Sequence, residues 1–332
     1  MTQGIVTRRM RKTFRVRRRL FAAATEKVAV DGLDLEIPRG RVTGLLGLNG
    51  AGKTTTIKIL STLLHPSSGE VTVDGLDVVR DAREIRRRIN LIAGGERMVY
   101  ARMTGRENLF YFGNLYGVPN RVLRRRSEEL LDLVGLSDAA DTLVEQYSRG
   151  MTQRLSIARG LVNEPDYLLL DEPTLGLDAP IARDLRKVIG RLVDDGKGIL
   201  LTSHYLDEVE ELCGHVYVIA DGRHLAAGSP RELTALTRSD HLTAVTLPRA
   251  DEQVVAAVQA FADRIGAAVV TEPDDTGALV VRLTHADDIV GALVMAIVAA
   301  GGTIGGLETR KPTLESAILS LTADRVRGAV RA

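Results

Sequence analysis

Cysteine, tryptophan and net charge are all scarce or absent in this chain of 332 residues. The single cysteine, Cys213, excludes an internal disulfide and fits a reducing compartment. A net charge of +1 gives no reason to expect a nucleic acid or another polyanion as partner. The first twenty residues are rich in arginine rather than apolar, so we expect no signal peptide there. The length predicts roughly two domains.

Long uncharged stretches are also scarce. Residues 289–307 carry no charge, and their length is close to that of a membrane-spanning helix. Gly301 and Gly302 interrupt this stretch after about a dozen strongly apolar positions, which favours a core helix, a turn and a strand. We therefore expect a soluble chain that reaches a membrane only through a partner.

One octapeptide, Gly47–Thr54, fits the phosphate-loop pattern G-x-x-x-x-G-K-[ST]. Arg41–Leu46 before it is typical of a buried strand, and Thr54–Leu60 after it is typical of a helix start. The glycines let backbone N–H groups converge on a phosphate at the helix N-terminus. Lys53 would reach the terminal phosphates, and the Thr54 hydroxyl would bind Mg²⁺. We therefore expect the chain to bind a nucleoside triphosphate.

A second anion-binding helix cap is predicted in the middle of the chain. Ser148 and Gly150 stand where an apolar helix begins, so the serine would cap the helix and free N–H groups would face an anion. The preceding residues, from about 104 to 141, have helical periodicity. This region is predicted to be a helical insertion in an α/β core.

Two carboxylates end the apolar strand Tyr167–Leu170. Beside a phosphate loop, Asp171 would hold Mg²⁺ directly or through water. Glu172 would orient a water toward the γ-phosphate and take its proton. Another strand, Gly198–Thr202, leads to His204 at the end of a parallel-type strand, where ligands gather. Glu172 and His204 are the predicted catalytic residues.

These motifs, in this order, resemble those of the nucleotide-binding subunit of ABC transporters, over about residues 5–235. The matching segments are Gly47–Thr54 (Walker A), Tyr147–Met151 (signature), Leu168–Glu172 (Walker B), Leu175–Asp178 (D-loop) and His204 (switch histidine). The resemblance implies an ATPase in which two subunits meet head to tail, so that each ATP lies between one Walker A motif and the opposite signature. The residues implied to contact nucleotide are Phe14, Asn49, Gly50, Ala51, Gly52, Lys53, Thr54, Thr55, Ser148, Gly150 and Asp178. Those implied to bind Mg²⁺ are Thr54, Asp171 and Glu96.

Two positions depart from the family's pattern. Arg149 stands where the signature has the first of two glycines; because Ser148 and Gly150 remain, we expect function to survive. The glutamine of the family's Q-loop, which touches Mg²⁺ and relays the nucleotide state, falls at about Gly95, which Glu96 follows. We expect Glu96 to be a weak substitute, the alternative being that this contact is missing.

Beyond Gly228 the pattern changes to that of a small α+β domain. Strand and helix signals follow one another in the order β-α-β-β-α-β, which is the ferredoxin-like arrangement. We therefore expect a P-loop ATPase domain over 1–235, with a helical subdomain over about 96–160, and an accessory domain over 240–332. The ending, from Lys311 to Thr322, resembles the tail of ATPases from drug-, antibiotic- and lipid-linked exporters. The accessory domain either stiffens the dimer, regulates it or contacts the membrane subunit.

The sequence thus predicts the ATP-hydrolysing subunit of an ABC exporter whose membrane-spanning subunit is a separate chain. It would act at the cytoplasmic face of the cell membrane, as a homodimer or paired with a related ATPase subunit. Three alternatives stay open: an importer ATPase, a soluble ABC ATPase that acts on ribosomes or DNA, and a non-enzymatic nucleotide switch. The basic run Arg8–Arg19 is either a solvated strand and loop or a segment attracted to anionic lipid.

Overall fold

The computed structural model describes residues 3–16, 25–94, 99–236, 241–249, 251–273, 277–285, 289–310 and 313–318. The chain divides into two compact units, Met1–Pro230 and Arg231–Ala332. The sequence predicted the corresponding boundary a few residues later, after residue 235.

The first unit is built on a six-stranded, mainly parallel sheet. Its strands are β3 (Arg41–Leu46), β6 (Ile89–Ala93), β7 (Tyr167–Asp171), β8 (Gly198–Thr202), β9 (His215–Ala220) and β10 (Arg223–Gly228). The strand order is β10-β9-β3-β8-β7-β6, and each neighbouring pair is parallel except β10 with β9. Strands β7 and β8 are almost wholly buried, which explains their continuous apolar sequences. Because β3, β8 and β7 are parallel neighbours, the segments that follow them emerge at one edge of the sheet.

A four-stranded antiparallel sheet completes the core of this unit. Its strands are β1 (Gly4–Val16), β2 (Thr25–Pro38), β4 (Ser68–Val73) and β5 (Leu76–Asp77), in the order β2-β1-β4-β5. One buried cluster joins residues of both sheets and of the first helix, among them Leu35, Ile57 and Leu169. Burying such side chains supplies about 2 kcal/mol each, so this cluster is the main source of stability that fixes the two sheets together.

A polar cluster around Asp74, just after β4, also ties the two sheets. Tyr167 Oη donates to Asp74 Oδ1 at 2.6 Å, and Arg39 Nη2 donates to Asp74 Oδ2 at 2.7 Å. The backbone N–H of Gly4 donates to Asp74 Oδ1 at 3.0 Å. Burial alone would raise the pKa of Asp74, but the hydrogen bonds from Tyr167 and Arg39 hold it below its ordinary value. The Asp74 carboxylate is therefore charged and fully engaged in the folded chain near neutral pH.

The helices of this unit lie between the strands in sequence. They are α1 (Lys53–Leu60), α2 (Ala82–Arg88), α3 (Gly105–Leu115), α4 (Asn120–Leu133), α5 (Arg149–Leu161), α6 (Ala179–Asp194) and α7 (Leu206–Leu212). Helices α3 to α5 stand between β6 and β7, in the region where the sequence predicted helices. Thr104 begins α3 with a capping box: its side chain accepts from the Glu107 N–H while the Glu107 carboxylate accepts from the Thr104 N–H.

The second unit has the element order predicted from the sequence. After α8 (Pro230–Leu236) come β11 (His241–Leu247), α9 (Glu252–Ile265), β12 (Ala268–Pro273), β13 (Leu279–His285), α10 (Val290–Ala299) and β14 (Gly306–Arg310). The sheet is antiparallel in the order β12-β13-β11-β14. Its core includes Val245, Phe261, Leu283 and Leu293. This β-α-β-β-α-β unit has the ferredoxin-like arrangement.

The uncharged stretch at residues 289–307 forms helix α10, a turn with Gly301 in the left-handed region (φ 79°), and the start of β14. Within the described ranges, no helix combines the length and the apolarity that crossing a membrane requires.

Candidate functional site

The loop between β3 and α1 curls around the ammonium group of Lys53. Gly50 and Gly52 have left-handed backbones, with φ of 83° and 107°. A side chain at Gly52 would place its Cβ 2.6 Å from the carbonyl oxygen of Ala29, so only glycine fits there. Lys53, the first residue of α1, is 8% exposed, and its Nζ donates to the carbonyl oxygen of Gly47 at 2.6 Å. The loop thus has the closely wound backbone that phosphate binding requires.

A cleft of about 680 Å³ lies over this loop. It brings together nine of the residues predicted to act on nucleotide: Phe14, Asn49, Gly50, Ala51, Gly52, Lys53, Thr54, Thr55 and Glu172. Phe14 lies in β1 and is partly exposed, with Lys12 Nζ 5.3 Å from the centroid of its ring. The cleft is therefore lined by an aromatic ring, a glycine-rich loop and a carboxylate.

Glu172 is held in an unusual backbone conformation directly after β7. Its φ is 53°, in the left-handed region that few residues other than glycine adopt. The Glu172 N–H donates to the carbonyl oxygen of Thr202 at 3.0 Å, which fixes this turn against the neighbouring strand. His204 Nε2 lies 2.8 Å from Glu172 Oε1, and because a carboxylate only accepts, the imidazole donates from Nε2. The two predicted catalytic side chains are thus in direct contact.

Asp171 is positioned by β8. It is paired in register with Thr202, whose hydroxyl donates to Asp171 Oδ1 at 2.5 Å. Thr202 is fully buried, while Asp171 is half-buried, so the bond is partly shielded from solvent. Thr202 was not among the residues predicted from the sequence, although a hydroxyl residue at the end of an apolar strand, just before Ser203 and His204, indicated a polar position there.

Gly94, at the end of β6, is a second supporting residue that the sequence analysis missed. Its N–H donates to the carbonyl oxygen of Asp171 at 2.7 Å. A Cβ at this position would lie 1.9 Å from the carbonyl oxygen of Glu172. From the sequence alone, the only indication of this role is that a glycine immediately follows the apolar strand Ile89–Ala93. Gly94 therefore permits a close approach that sets the backbone of both carboxylates.

Charges across the cleft act on Lys53 in opposite directions. Burial lowers the pKa of the Lys53 ammonium, while the nearby carboxylates of Glu172 and Asp171 oppose that shift. The Lys53 ammonium therefore lies in a site of low dielectric, where the carboxylates of Glu172 and Asp171 balance its positive charge. Such a site binds a phosphate with stronger electrostatic interactions than water-exposed groups would give.

A third acid, Glu208 in α7, connects the segment after Glu172 with the segment before His204. Thr174 Oγ1 donates to Glu208 Oε2 at 2.9 Å, and Ser203 Oγ donates to the same oxygen at 2.6 Å. Burial raises the pKa of Glu208, and the two hydroxyl hydrogen bonds oppose that shift. Glu208 thereby connects the chain just after Glu172 with the chain just before His204, a role that the sequence analysis did not assign.

The remaining predicted nucleotide contacts lie elsewhere on the first unit. Ser148 is the N-cap of α5, where its Oγ accepts from the Met151 N–H at 3.2 Å. Asp178 is exposed at the N-cap position of α6. Among the described residues, the lining of the cleft includes neither Ser148, Gly150 nor Asp178. One chain therefore does not bring all of the predicted nucleotide contacts together.

The donors near the loop suit Mg²⁺ only in the company of phosphate oxygens. Within the described ranges, no group of three or more His, Cys, Asp or Glu side chains could hold a metal ion. Thr54, at an exposed position in α1, and Asp171 offer oxygen ligands, and Mg²⁺ is commonly held by one or two such groups together with phosphates and water. Glu96, the other predicted ligand, lies outside the described residues, as does Gly95.

Comparison with known proteins gives the family. Residues 30–175 match the family described as ABC transporter. The chain is 40% identical to the daunorubicin resistance ATP-binding protein DrrA3 of Streptomyces coeruleorubidus over 299 residues, which cover 90% of this chain and 92% of that protein. It is 43% identical to the Nod factor export ATP-binding protein I of Burkholderia pseudomallei, over 63% of this chain and 68% of the relative.

A solved structure described as an ATP-binding subunit of an ABC transporter has the same fold. It superposes with a TM-score of 0.61 at 26% identity and covers 70% of this chain and 93% of its own. The sequence match to DrrA3, at 299 residues, is longer than the first unit and so extends into the second. On these matches the chain belongs to the ATP-binding subunits of ABC transporters, a family of ATPases.

Proposed function

We propose that the chain hydrolyses Mg²⁺-ATP at a site shared by two copies, and that this drives a separate membrane-spanning subunit in export. The observation that carries the proposal is the contact of 2.8 Å between His204 Nε2 and Glu172 Oε1, on the wall of the cleft that contains the phosphate loop. A non-enzymatic nucleotide switch would need the loop but would not need a carboxylate oriented by an imidazole beside it.

Glu172 is the general base of the proposed reaction. A water oxygen attacks the γ-phosphorus, the bond from that phosphorus to the β,γ-bridging oxygen breaks, ADP leaves, and the proton of the water passes to Glu172. His204 donates to Oε1, which leaves Oε2 of Glu172 to accept that proton. The side chain of Glu172 is 24% exposed, so water in the cleft reaches it.

Lys53 and the loop bind the triphosphate, and Thr54 and Asp171 hold Mg²⁺, which neutralises phosphate charge when bound. The bond from Thr202 keeps the Asp171 carboxylate aimed toward the loop. Phe14, which also lines the cleft, offers its partly exposed ring as a stacking surface for the base.

A second copy would supply the remaining contacts. Ser148 and Gly150 lie at the N-terminus of α5, which carries a partial positive charge and N–H groups suited to a phosphate. Because these residues do not line the cleft of their own chain, a head-to-tail pair would bring them to the phosphates held by the partner's loop. The closed pair would then be favoured by contacts that exist only when ATP is bound between the copies.

A largely exposed apolar cluster, which we define as Tyr100, Tyr111, Phe112 and Leu115, is the proposed docking site for the membrane subunit. Tyr100, Tyr111 and Leu115 are 49%, 39% and 65% exposed. The rings of Tyr100 and Tyr111 pack edge to face, with centroids 5.0 Å apart. Protein interfaces are enriched in aromatic residues. Helix α3 begins ten residues after Gly95, the position to which the resemblance assigns the relay of the nucleotide state. The occupant we propose is a cytoplasmic segment of the membrane subunit.

The relatives support export over import. One is named for resistance to daunorubicin and another for Nod factor export. Both names fit a machine that moves molecules out of the cell, and the DrrA3 match extends into the C-terminal unit. We infer that this chain acts at the cytoplasmic face of the membrane through its partner.

The variant Glu172→Gln tests the proposed base. We expect it to retain ATP binding and to lose about 100-fold or more in hydrolysis, because a general base contributes at least about that factor. Glu129→Gln is the matched control, since Glu129 is an exposed carboxylate on α4 that pairs with Arg125 on the same helix. Native hydrolysis by Glu172→Gln in the purified chain would refute the assignment.

A mixing experiment tests the shared site. Lys53→Ala and Ser148→Arg chains should each be inactive alone, because each homodimer has both sites damaged. Mixed dimers would contain one intact site, so an equal mixture should regain about a quarter of the native rate. If the mixture stays inactive while both variants still form dimers, the site is not built from two copies of this chain.

Docking of the membrane subunit is tested separately. Tyr111→Lys should abolish co-purification of the membrane subunit from detergent, while Val122→Lys should not, although Val122 is equally exposed. Equal recovery with both variants would contradict the proposed docking site and leave the hydrolysis proposal untouched.

A further inference from the structure

Arg149, the residue that departs from the family's signature, contacts the D-loop of its own chain. Its Nη2 donates to the carbonyl oxygen of Leu175 at 2.9 Å. A Cβ at Gly176 would lie 2.3 to 2.4 Å from Nη1, Cζ and Nη2 of Arg149. The guanidinium therefore lies directly against the Cα of Gly176, whose φ is 69°. A side chain at Gly176 would displace the guanidinium from this position.

The next residue of α5 touches the same region. A Cβ at Gly150 would lie 2.7 Å from Ile181 Cδ1, so the backbone of the first turn of α5 packs on the side chain of Ile181. Ile181 lies in the first turn of α6, immediately after the D-loop Leu175–Asp178. Two neighbouring contacts thus join the start of α5 to the D-loop and to the helix that follows it.

The stability of α5 does not account for an arginine at this position. The N-terminus of a helix carries a partial positive charge, so a cation in the first turn is unfavourable. A guanidinium is planar and offers five N–H donors, which lets it lie flat on a glycine and donate to a carbonyl oxygen at the same time. A lysine ammonium is not planar and cannot lie flat on a glycine while it donates to a carbonyl oxygen. The contact with Leu175 and Gly176 is what distinguishes Arg149 from glycine or lysine at this site.

We propose that Arg149 is a positioning residue that holds the D-loop against the signature helix within one chain. We call the contact of Arg149 with Leu175 and Gly176 the brace. It rests on the proposed function in one respect, namely that Ser148 and Asp178, which flank the brace, contact the second copy. By fixing their separation before two copies meet, the brace favours the closed pair. Arg149 does not line the nucleotide cleft, so its loss should leave ATP binding to a single chain unchanged.

Hydrogen exchange of the nucleotide-free full chain tests the brace directly. Arg149→Ala should speed amide exchange in residues 175–178 by about tenfold, because the turn would open locally without its partner. Arg183→Ala is the matched control, since Arg183 is an exposed arginine in the second turn of α6. It should leave exchange unchanged. If Arg149→Ala shows native exchange in residues 175–178, the brace is refuted.

Steady-state hydrolysis separates a brace from a direct phosphate contact. We expect Arg149→Ala to lower kcat about tenfold with KM unchanged, and Arg149→Lys to restore little of the loss because an ammonium lacks the planar fork. A raised KM with native exchange in residues 175–178 would instead assign Arg149 to phosphate binding and overturn the proposal. Should the chain prove unable to hydrolyse ATP, the exchange experiment still decides whether the brace exists.

A second variant pair checks the contact without catalysis. Gly176→Ala should lower Tm in the native background through both backbone strain and collision with the guanidinium. In the Arg149→Ala background only the strain remains, so the added loss of Tm should be smaller. Equal losses in the two backgrounds would show that the guanidinium does not occupy this position, and would refute the brace.

Discussion

A single methyl group at Gly94 should displace Glu172, the proposed general base, and slow ATP hydrolysis. In Gly94→Ala the new Cβ would lie 1.9 Å from the carbonyl oxygen of Glu172 and 2.8 Å from its carbonyl carbon. The two segments cannot simply move apart, because the Gly94 N–H donates to the carbonyl oxygen of Asp171 at 2.7 Å. Either this hydrogen bond breaks or the turn at Glu172 shifts.

The size of the effect follows from the distance. Relieving the collision requires a displacement of about 1 Å, and a misplacement of that size in a catalytic group costs about 100-fold in rate. The strain of the extra methyl group should also cost about 1–3 kcal/mol of stability. For a unit of this size, that loss corresponds to a fall in Tm of roughly 2–12 °C. Binding of ATP should be retained, because the loop around Lys53 does not depend on Gly94.

The matched control is Gly190→Ala. Gly190 lies within α6, and a Cβ there would meet no atom within 4 Å. Replacing a helical glycine with alanine should raise stability by up to about 1 kcal/mol and leave hydrolysis unchanged. Nucleotide binding, hydrolysis rate and Tm of both variants check the prediction. If Gly94→Ala hydrolyses ATP within about threefold of the native rate, which is under 1 kcal/mol in the barrier, the positioning argument for Gly94 is wrong.

Three further predictions concern single side chains. Thr202→Val should lower hydrolysis about tenfold and raise the Mg²⁺ concentration required, measured by Mg²⁺ titration, because the bond to Asp171 Oδ1 is lost. Asp74→Asn should lower the free energy of unfolding by about 2 kcal/mol near neutral pH. Denaturant titrations at several pH values should show this difference in full above the ordinary pKa of 3.8. The difference should shrink as the pH falls from 3.8 through the lower pKa of folded Asp74, because protonation of the native carboxylate removes the same interactions. Burial raises the pKa of the Cys213 thiol, so iodoacetamide should label Cys213 in urea but not in the folded chain, as mass spectrometry would show.

The elements that carry the chemistry could be predicted from local sequence. Strands Tyr167–Asp171 and Gly198–Thr202 were readable because strands buried on both faces in a parallel sheet are continuous apolar runs. Helix α1 was readable because a phosphate loop must open a helix. The second unit could be predicted from alternation and helical periodicity, which indicated its element order but not the residue at which each element begins, such as Gly306 for its last strand.

The supports of the site could not be predicted in the same way, because they depend on contacts between distant segments. Nothing local to Glu172 reveals a φ of 53°, which results from bonding to Thr202 on the neighbouring strand. Gly94 is important only because the turn at Glu172 approaches its Cα. The brace from Arg149 to the D-loop joins residues 26 positions apart, and the sequence showed Arg149 only as a departure from the family's glycine.

The strand order explains why these distant residues act together. Strand β8 lies between β3, which leads to the phosphate loop, and β7, which leads to both carboxylates. Its position lets Thr202 hold Asp171 and lets His204, two residues further on, contact Glu172. Thr202 pairs in register with Asp171, so a slip of β8 by two residues would carry both bonds away from the carboxylates while leaving the apolar core nearly unchanged. The geometry of the site therefore depends on the register of β8 as well as on the two carboxylates themselves.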